Sequence, residues 1–345
     1  MKKTINQLNE LTKLNAISSN EEQVSVFLQQ NQTAKITNDK LGSVILTKGS
    51  GKKVMITAHM DEFGMIISQI TKNGLLRFQP VGTFNVSSMV HNKFVITSNK
   101  GQHTAVLTAK PFMQQSAEER LKTPDVKSLY LDAGFTSDEA VKDAGIEVGD
   151  MVTRYHTFEV INEDIIISKA LDNRSGVCVL NELIDEVNDL KCELNVSFTV
   201  QNQMAMKGSK TTSFMIEPDI AISLDVFDSD DIYGESKYKL GHGPLIIFYD
   251  QGLIAHNGLR NYIIDIAKKH NIPYQEASNE KESSEGGYLQ LSKLGAATVS
   301  IGIPIRNRNT QNEMVSLSDL INTKKLLKLF LESLNDLEIN HILTY

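Results

Sequence analysis

The chain has 345 residues, which is longer than one usual hydrophobic core and predicts two domains. Its formal net charge is −7, and no cluster of Lys or Arg alternates with aromatic residues, so nucleic acid is not expected as the main partner. The basic start Met1-Lys2-Lys3 leads into no apolar segment, and no apolar run reaches about 18 residues, so we expect neither a secretion signal nor a membrane-spanning helix. The only cysteines, Cys178 and Cys192, have no CxxC or metal-ligand spacing, which indicates reduced thiols in a cytoplasmic protein.

The first predicted elements are two amphipathic helices. Apolar residues recur at helical spacing from Ile5 to Leu14, and Ser18-x-x-Glu21 or Ser19-x-x-Glu22 can form a capping box for the second helix. Two strands follow, at residues 43–46 and 53–59. From about residue 68 to 162, short β-branched runs are interrupted by turn signals such as Asn73-Gly74, which predicts a β-rich insert.

After residue 165, helical and strand patterns alternate. The predicted elements are helix 174–188, strand 194–200, helix 208–215, strand 219–225, helix 257–270, helix 286–294, strand 296–302 and helix 316–335. This alternation predicts an α/β fold with a mostly parallel sheet sandwiched by helices, formed by residues 1–67 and 163–345. Residues 68–162 would form the small inserted β-rich domain. Because such a satellite domain has outer strands to cover, we expect it to be the dimer contact of a homo-oligomer.

Polar residues gather where the predicted strands end. One strand ends at Ala58-His59-Met60-Asp61-Glu62, another before Gln201-Asn202-Gln203, a third at Asp225 and a fourth before Arg306-Asn307-Arg308-Asn309. In open α/β sheets the functional groups lie just beyond the carboxyl ends of parallel strands, so these ends should share one crevice. Singly, His59 can be structural, Asp172 can cap the apolar helix that follows it, and Asp225 can be a turn residue. Together these three residues favour a metal site.

Longer motifs run through nearly the whole chain. They are residues 58–65 (AHMDEFGM), 132–140 (DAGFTSDEA), 144–150 (AGIEVGD), 170–176 (ALDNRSG), 218–221 (PDIA), 240–244 (LGHGP) and 301–306 (IGIPIR). In these motifs the chain resembles the glutamyl aminopeptidase family of dinuclear metallopeptidases, which includes the TET aminopeptidases and some members described as cellulases. The resemblance implies a zinc-peptidase-like fold in which two divalent ions, usually zinc or cobalt, share an aspartate and activate the water that attacks the N-terminal peptide bond. It also implies dimers that assemble into hollow tetrahedral dodecamers.

One half of the site that this resemblance implies is intact. His59, Asp225 and, as the bridge, Asp172 match metal ligands, and Asp61 matches the carboxylate that orients the histidine. A histidine with two carboxylates and an open position suits one zinc, cobalt or manganese ion. We therefore expect one divalent ion at His59, Asp172 and Asp225.

The other half of the implied site is changed. The family's two consecutive glutamates, a general base and a ligand of the second ion, are replaced by Asn202 and Gln203, and its last histidine ligand is replaced by Asn309. An amide cannot take the proton of an attacking water, a role that contributes about 10²–10⁴-fold, and amide oxygens are weak ligands, so the second metal site is expected to be lost. The substrate motif is changed to residues 283–287 (SSEGG), which leaves Glu285 and Arg306 as candidate substrate-binding residues.

A general base at another position stays open as an alternative. The candidates are Asp228, Asp230, Asp231, Glu235, His242 and Glu285. The acidic residues from 228 to 231 can equally be a solvated loop, and His242 can be a polar residue beside the Gly-Pro turn.

Three functions compete for this sequence. The first is an aminopeptidase with a rewired or mononuclear centre, the second is a pseudoenzyme that binds a metal, peptide N-termini or a partner subunit, and the third is a glucanase. The glucanase is the weakest, because the chain has no Trp and 6% aromatic residues for binding sugars, and a His-Asp ligand set has no role in a two-carboxylate glycosidase. Loss of the base and of two ligands favours the second function, with hydrolysis lost or strongly reduced, while the resemblance keeps the first open.

Overall fold

The computed structural model describes residues 1–30, 32–229, 231–232 and 237–344. The strands in this part of the chain are β1 (Lys35–Asn38), β2 (Val44–Gly49), β3 (Lys53–His59), β4 (Gly64–Ile70), β5 (Leu76–Val81), β6 (Lys93–Ser98), β7 (Gly101–Thr108), β8 (Tyr130–Asp132), β9 (Met151–Arg154), β10 (Phe158–Ile161), β11 (Ile165–Ser168), β12 (Glu193–Thr199), β13 (Ile220–Asp228), β14 (Leu245–Tyr249), β15 (Gln275–Ser278), β16 (Ala297–Arg306) and β17 (Glu313–Ser316). The α-helices are α1 (Lys2–Lys13), α2 (Glu22–Gln29), α3 (Val86–Met89), α4 (Asp138–Asp143), α5 (Leu171–Glu186), α6 (Lys207–Ile216), α7 (Asn257–Lys269), α8 (Gly286–Leu289), α9 (Leu317–Ser333) and α10 (Asp336–Leu343).

A large mixed sheet forms the centre of the molecule. Its main path runs β1-β2-β12-β3-β13-β16-β17-β11-β10, with β14 joined to β16 and β15 to β14. The central strands β12, β3, β13 and β16 are parallel to one another, whereas β2 and β17 pair antiparallel on either side of them. The predicted α/β class is confirmed, but the sheet is mixed: among the described residues the central strands and the pair β14–β15 are parallel, and the other pairs are antiparallel. The carboxyl ends of the parallel strands lie at one edge of the sheet.

Helices cover both faces of the central strands. Along β3, Ile56 contributes to a core that includes apolar residues of α1, α5, α7 and α9. Its neighbour Met55 points to the opposite face and contributes to a core with Ile216 of α6 and Leu289 of α8. Because successive side chains of a strand alternate between faces, a fully apolar strand such as β3 is stable only when both faces are covered. The sandwich predicted from the sequence is therefore present.

Two local predictions are wrong. Neither predicted capping box forms, because the N-cap of α2 is Glu21, which makes no side-chain cap hydrogen bond, and the Ser18 hydroxyl donates to Asp61 instead. The predicted helix 286–294 shortens to the single turn Gly286–Leu289, since two glycines weaken its start and Gly295 with positive φ follows. No helix among the described residues is long and apolar enough to cross a membrane.

Strands β4, β5, β8, β7, β6 and β9 close into a barrel with its own apolar core. The barrel runs from Gly64 to Arg154, so its ends differ from the predicted limits 68 and 162. The difference arises because β10 and β11 form a hairpin of the large sheet whose turn signal looks the same in sequence as those inside the barrel. A closed barrel also has no free strand edges, which removes the reason given above for expecting it at a dimer contact.

Buried charged residues lie where the barrel meets the large sheet, and we call Glu62, Arg154, Lys169, Arg174 and Glu313 the junction cluster. Lys169 Nζ donates to Glu62 Oε1 at 2.6 Å, and Arg154 Nη1 donates to Glu313 Oε1 at 2.6 Å. The second Nη atoms of Arg154 and Arg174 lie 3.7 and 3.9 Å from the Glu62 carboxylate. Burial outweighs the attraction of Glu62 and lowers the pKa of Lys169 to about 8. Each ion in this cluster depends on its partners, because desolvation of an unpaired charge is costly.

Replacement of Glu62 with alanine should destabilise the protein strongly. The change leaves three buried cations around Glu62 with less compensation, and removal of one partner of a buried ion pair costs about 3–5 kcal/mol. The free energy of unfolding in urea measures the effect. Glu10→Ala, which breaks an exposed pair with Lys13, is the matched control and should cost less than about 1 kcal/mol. Equal, small losses for both variants would show that the junction cluster does not stabilise the fold.

Candidate metal centre

The structure brings together the three side chains that the sequence marks as metal ligands. His59 ends β3, Asp225 lies in the neighbouring strand β13, and Asp172 lies at the start of α5. His59 Nε2 is 3.2 Å from Asp172 Oδ1 and 3.5 Å from Asp225 Oδ1. One ligand atom from each residue lies within 4.8 Å of the other two, a spacing that a single divalent ion can span.

Asp61 holds the imidazole in place and connects two strand ends. His59 Nδ1 is 2.9 Å from the Asp61 carbonyl oxygen, which leaves Nε2 to face the two carboxylates. The Asp61 carboxylate accepts hydrogen bonds from the Ser18 hydroxyl at 2.5 Å and from the backbone N–H groups of Asn202 and Gln203 at 3.0 Å each. Asp61 therefore orients the histidine and also fixes the loop after β12. Such outer contacts set the direction of a metal-binding imidazole.

The charges of the centre compensate one another. Burial lowers the pKa of His59, but Asp225, Asp172 and Asp61 outweigh burial, so this pKa lies well above its usual value. Burial raises the pKa of Asp172, but the hydrogen bond from His59 and the charge of Arg308 outweigh it, so this pKa lies below its usual value. A positive charge is thus favoured between the two carboxylates, and metal binding would release a proton from His59.

The three amides at positions where the resemblance implies a base and metal ligands make specific contacts. Asn202 Nδ2 donates to Glu285 Oε1 at 3.3 Å, and the Thr199 hydroxyl donates to the same oxygen at 2.7 Å. Asn309 donates its backbone N–H to Glu313 Oε1 at 3.0 Å, and its side-chain Oδ1 is buried without a hydrogen-bond partner. Gln203 lines the cleft above His59. Asn202 and Gln203 thus line the cleft, whereas Asn309 is tied to the junction cluster through Glu313.

The two candidate substrate-binding residues do not line the described cleft. Glu285 is 2% exposed, and burial raises its pKa. Arg306 forms a bidentate pair with Asp231, with Nε 2.7 Å from Oδ1 and Nη2 2.5 Å from Oδ2. Glu285 is thus covered by its hydrogen bonds with Thr199 and Asn202, and Arg306 is held in an ion pair with Asp231.

The proposed positions for a relocated base are also placed by the structure, except for Asp230 and Glu235, which lie outside the described residues. Asp228 Oδ2 is 3.6 Å from Arg308 Nη1. Asp231 is engaged with Arg306, and His242 is exposed in the turn after Leu240. None of these three described side chains reaches the group formed by His59, Asp172 and Asp225.

The cleft over the centre has a volume of about 390 Å³. Charged and polar side chains dominate its described lining, which includes His59, Asp172, Asn202, Gln203, Asp225, Asp250, Lys281, Glu282, Ser283, Ser284 and Arg308. Sequence reasoning missed Arg308 and Glu282 as members of this site. Arg308 could have been suspected from the sequence, because it directly precedes Asn309, the position of the implied histidine ligand. No sequence pattern marks Glu282, because it lies in a loop between β15 and α8.

A model of the M42 glutamyl aminopeptidase family matches residues 42–326. The chain belongs to this family. A protein of Acetivibrio thermocellus is 34% identical over 327 residues, which are 93% of this chain and 96% of that protein. The lysyl aminopeptidase of Pyrococcus furiosus is 30% identical over 305 residues, 87% of each chain. The resemblance inferred from the motifs is confirmed, and so is metallo-aminopeptidase ancestry at the level of the M42 family.

Several solved structures superimpose closely on the chain. The TET aminopeptidase of Thaumarchaeota archaeon SCGC AB-539-E09 has a TM-score of 0.95 at 28% identity and covers 99% of both chains. The TET1 peptidase of Pyrococcus horikoshii, described as assembling into a tetrahedron or a large octahedral shell, has a TM-score of 0.87 at 28% identity over 96% of this chain and 100% of that one. A Thermotoga maritima protein described as an endoglucanase has a TM-score of 0.80 at 26% identity over 98% of this chain and 99% of that one.

Glu21 supports the loop after β12 and makes the stability of the fold depend on pH. Glu21 Oε1 accepts the backbone N–H of Gln201 at 2.8 Å. Burial, and next the charge of Asp61, raise the pKa of Glu21 from 4.5 to about 7. Between these pH values the folded state keeps a proton that the unfolded state loses, so this group makes the folded state less stable as the pH rises from about 4.5 to 7.

Glu21→Gln keeps the acceptor and removes this effect. The free energy of unfolding of the variant minus that of the unaltered protein should be about 1–3 kcal/mol larger at pH 8 than at pH 5. The size follows because one pKa unit corresponds to about 1.4 kcal/mol. Urea unfolding of both proteins at the two pH values measures the difference. The exposed neighbour Glu22 provides the control, and Glu22→Gln should show no such gain. A pH-independent difference for Glu21→Gln would contradict the assignment.

Proposed function

We propose that the protein is a one-metal relative of the M42 aminopeptidases that binds peptide N-termini, with hydrolysis lost or strongly reduced. The observation that carries this proposal concerns the carboxylates of the cleft. In the part of the lining that the structure describes, each carboxylate already has a hydrogen-bond or ionic partner. Asp172 and Asp225 face His59. Glu282 accepts a hydrogen bond from Arg308, and Asp250 accepts hydrogen bonds from Gly252 and Ser284. The position of the family's general base carries Asn202, which cannot take a proton.

The residues of the remaining site fit one divalent ion. A histidine and two carboxylates leave a fourth position open for water or a ligand, and zinc, cobalt and manganese all accept this set. Such an ion, when bound, supplies a Lewis acid that can hold the carbonyl or amine at a peptide N-terminus. The chain itself contributes Asp250, whose charge is met by the uncharged donors of Gly252 and Ser284 and therefore favours a protonated amine in the cleft.

An aminopeptidase that works with a rewired centre is the second candidate. Glu285 favours it, because this carboxylate lies 3.3 Å from the Asn202 amide and has a raised pKa. Against it, Glu285 is 2% exposed and already accepts the Thr199 hydroxyl. The glucanase alternative has less support, because the described cleft lining offers sugars a single aromatic side chain, Phe227.

Hydrolysis and binding can be measured separately. In the presence of zinc, cobalt or manganese, rates with amino-acid amides and short peptides should be at least ~10²-fold below those of an intact family member, because Asn202 cannot act as a base. Calorimetry should show binding of a metal-loaded protein to a tripeptide and not to its N-acetylated form. His59→Ala should abolish that binding. Rapid turnover by the unaltered chain that is lost in His59→Ala would show that the centre is rewired and active.

We further propose that the chain forms a homo-oligomer through its barrel. The named assemblies of the Pyrococcus horikoshii relative support this proposal. The closed barrel offers no strand edge, but the segment between β7 and β8 exposes three large apolar residues, Phe112 at 62%, Met113 at 83% and Leu121 at 89%. Exposed apolar residues that lie together mark protein contacts. We assign this segment to the contact between the two chains of a dimer. Such dimers could assemble further into a shell of twelve chains.

The double variant Met113→Asp and Leu121→Asp should therefore shift the protein towards monomers, because two charges would be buried in the contact. Light scattering coupled to size exclusion at micromolar concentration measures the mass. Leu337→Asp is the control, since Leu337 is 80% exposed on α10, far along the chain from the barrel. A monomeric unaltered protein, or an oligomer that tolerates both aspartates, would contradict the assignment.

A further inference from the structure

Arg308 is a partly buried cation in the cleft, and the ligand set of His59, Asp172 and Asp225 does not account for its contacts. It lies in the connection between β16 and β17, and its side chain is 19% exposed. Its Nε donates to Asp172 Oδ2 at 3.1 Å, and its Nη1 donates to Glu282 Oε2 at 2.8 Å. Nη1 is also 3.6 Å from Asp228 Oδ2. Three carboxylates from different segments thus surround one guanidinium group, which stays protonated under all ordinary conditions.

The two oxygens of Asp172 face different positive groups. Oδ1 lies 3.2 Å from His59 Nε2, on the side of the proposed metal position. Oδ2 accepts the hydrogen bond from Arg308, on the other side. A carboxylate that bridges two metal ions divides its oxygens in the same way, with one cation on each. In this chain a guanidinium group therefore stands where the resemblance implies a second ion.

The next residue supports this placement. The resemblance assigns a histidine ligand of the second ion to position 309, and this chain has Asn309, whose buried Oδ1 has no hydrogen-bond partner among the described residues. A divalent ion at Asp172 Oδ2 would compete with Arg308 for the same oxygen and would lie beside a permanent positive charge. Both effects disfavour such an ion, because the two cations would repel each other and would compete for one buried carboxylate oxygen.

We propose that the Arg308 guanidinium is a built-in replacement for the second metal ion, held by Asp172, Glu282 and Asp228. This inference deepens the proposed function and rests on it, because it explains why one ion binds and not two. It also predicts a latent site: removal of the guanidinium leaves three carboxylates that share an empty position, and carboxylate oxygens are ligands for manganese.

The test compares the number of bound manganese ions in the metal-free protein after titration. The unaltered chain should bind one ion, and Arg308→Gln and Arg308→Ala should each bind one more, with lower affinity. Two manganese ions that share Asp172 should also give a spin-coupled electron paramagnetic resonance spectrum, which one ion cannot give. Arg308→Lys keeps the charge and should stay at one ion. Arg306→Ala is the matched control, because Arg306 contacts Asp231 and not Asp172, and it should also stay at one.

The outcomes separate this inference from the proposed function. One ion in the unaltered chain and one in both neutral variants, with native circular dichroism, would overturn the role of Arg308 and leave the one-metal function intact. Two ions in the unaltered chain would overturn both. No ion in the unaltered chain would overturn the one-metal function, and a gain on removal of Arg308 would still support the inference.

The triple variant Asn202→Glu, Gln203→Glu and Asn309→His provides a second experiment. It should bind a spin-coupled pair of manganese ions only when Arg308 is also replaced. A pair without that replacement would contradict the inference.

Discussion

Compensation of buried charge around Glu62 is the constraint on which both the barrel and the metal centre depend. Glu62 directly follows Asp61, the residue that orients His59, and its carboxylate is bound by Lys169. On the other side of the cluster, Glu313 accepts Arg154 at the end of the last barrel strand and the backbone N–H groups of Asp172 and Asn309. The same buried ions therefore dock the barrel and place the segments that carry the site. An unpaired ion at this position would be costly, which leaves the chain few other arrangements here.

Buried charge is also compensated in the cleft, by different partners. Asp172 is buried, and it is stable there as an anion because His59 approaches one oxygen and Arg308 approaches the other. In a relative with two ions, the metals themselves supply that compensation. A chain that has lost ligands for one of the ions still has to neutralise the carboxylate that remains, and a guanidinium with its fixed fork of donors does so while it also binds Glu282. On the proposal made for Arg308, this arginine and the changed ligands together balance the charge of the cleft.

The sequence allowed the convergence of His59, Asp172 and Asp225 to be predicted, because parallel strands bring their carboxyl ends to one edge whatever their partners are. It did not show where Glu285 and Arg306 point. Glu285 is covered through contacts with Thr199 and Asn202, and Arg306 is drawn to Asp231; both outcomes depend on side-chain partners that are distant in sequence. The limits of the barrel were missed for a related reason, since the hairpin of β10 and β11 and the barrel hairpins differ in their partners and not in their local pattern.

The replacements in the site are consistent in charge as well as in position. By the resemblance, Asn202 and Gln203 stand for two glutamates, so the change removes two negative charges at a site where the single charge of Arg308 stands in place of a divalent ion. Had the glutamates stayed after that ion was lost, two more carboxylates would stand near Glu285 and Asp172, where like charges destabilise one another. Had the two amides replaced the glutamates while both metal ions stayed, the charge of the ions would have two fewer carboxylates to balance it. On the proposed function, loss of the base and loss of the second ion belong to a single change, after which the remaining histidine and carboxylates keep a place for one cation.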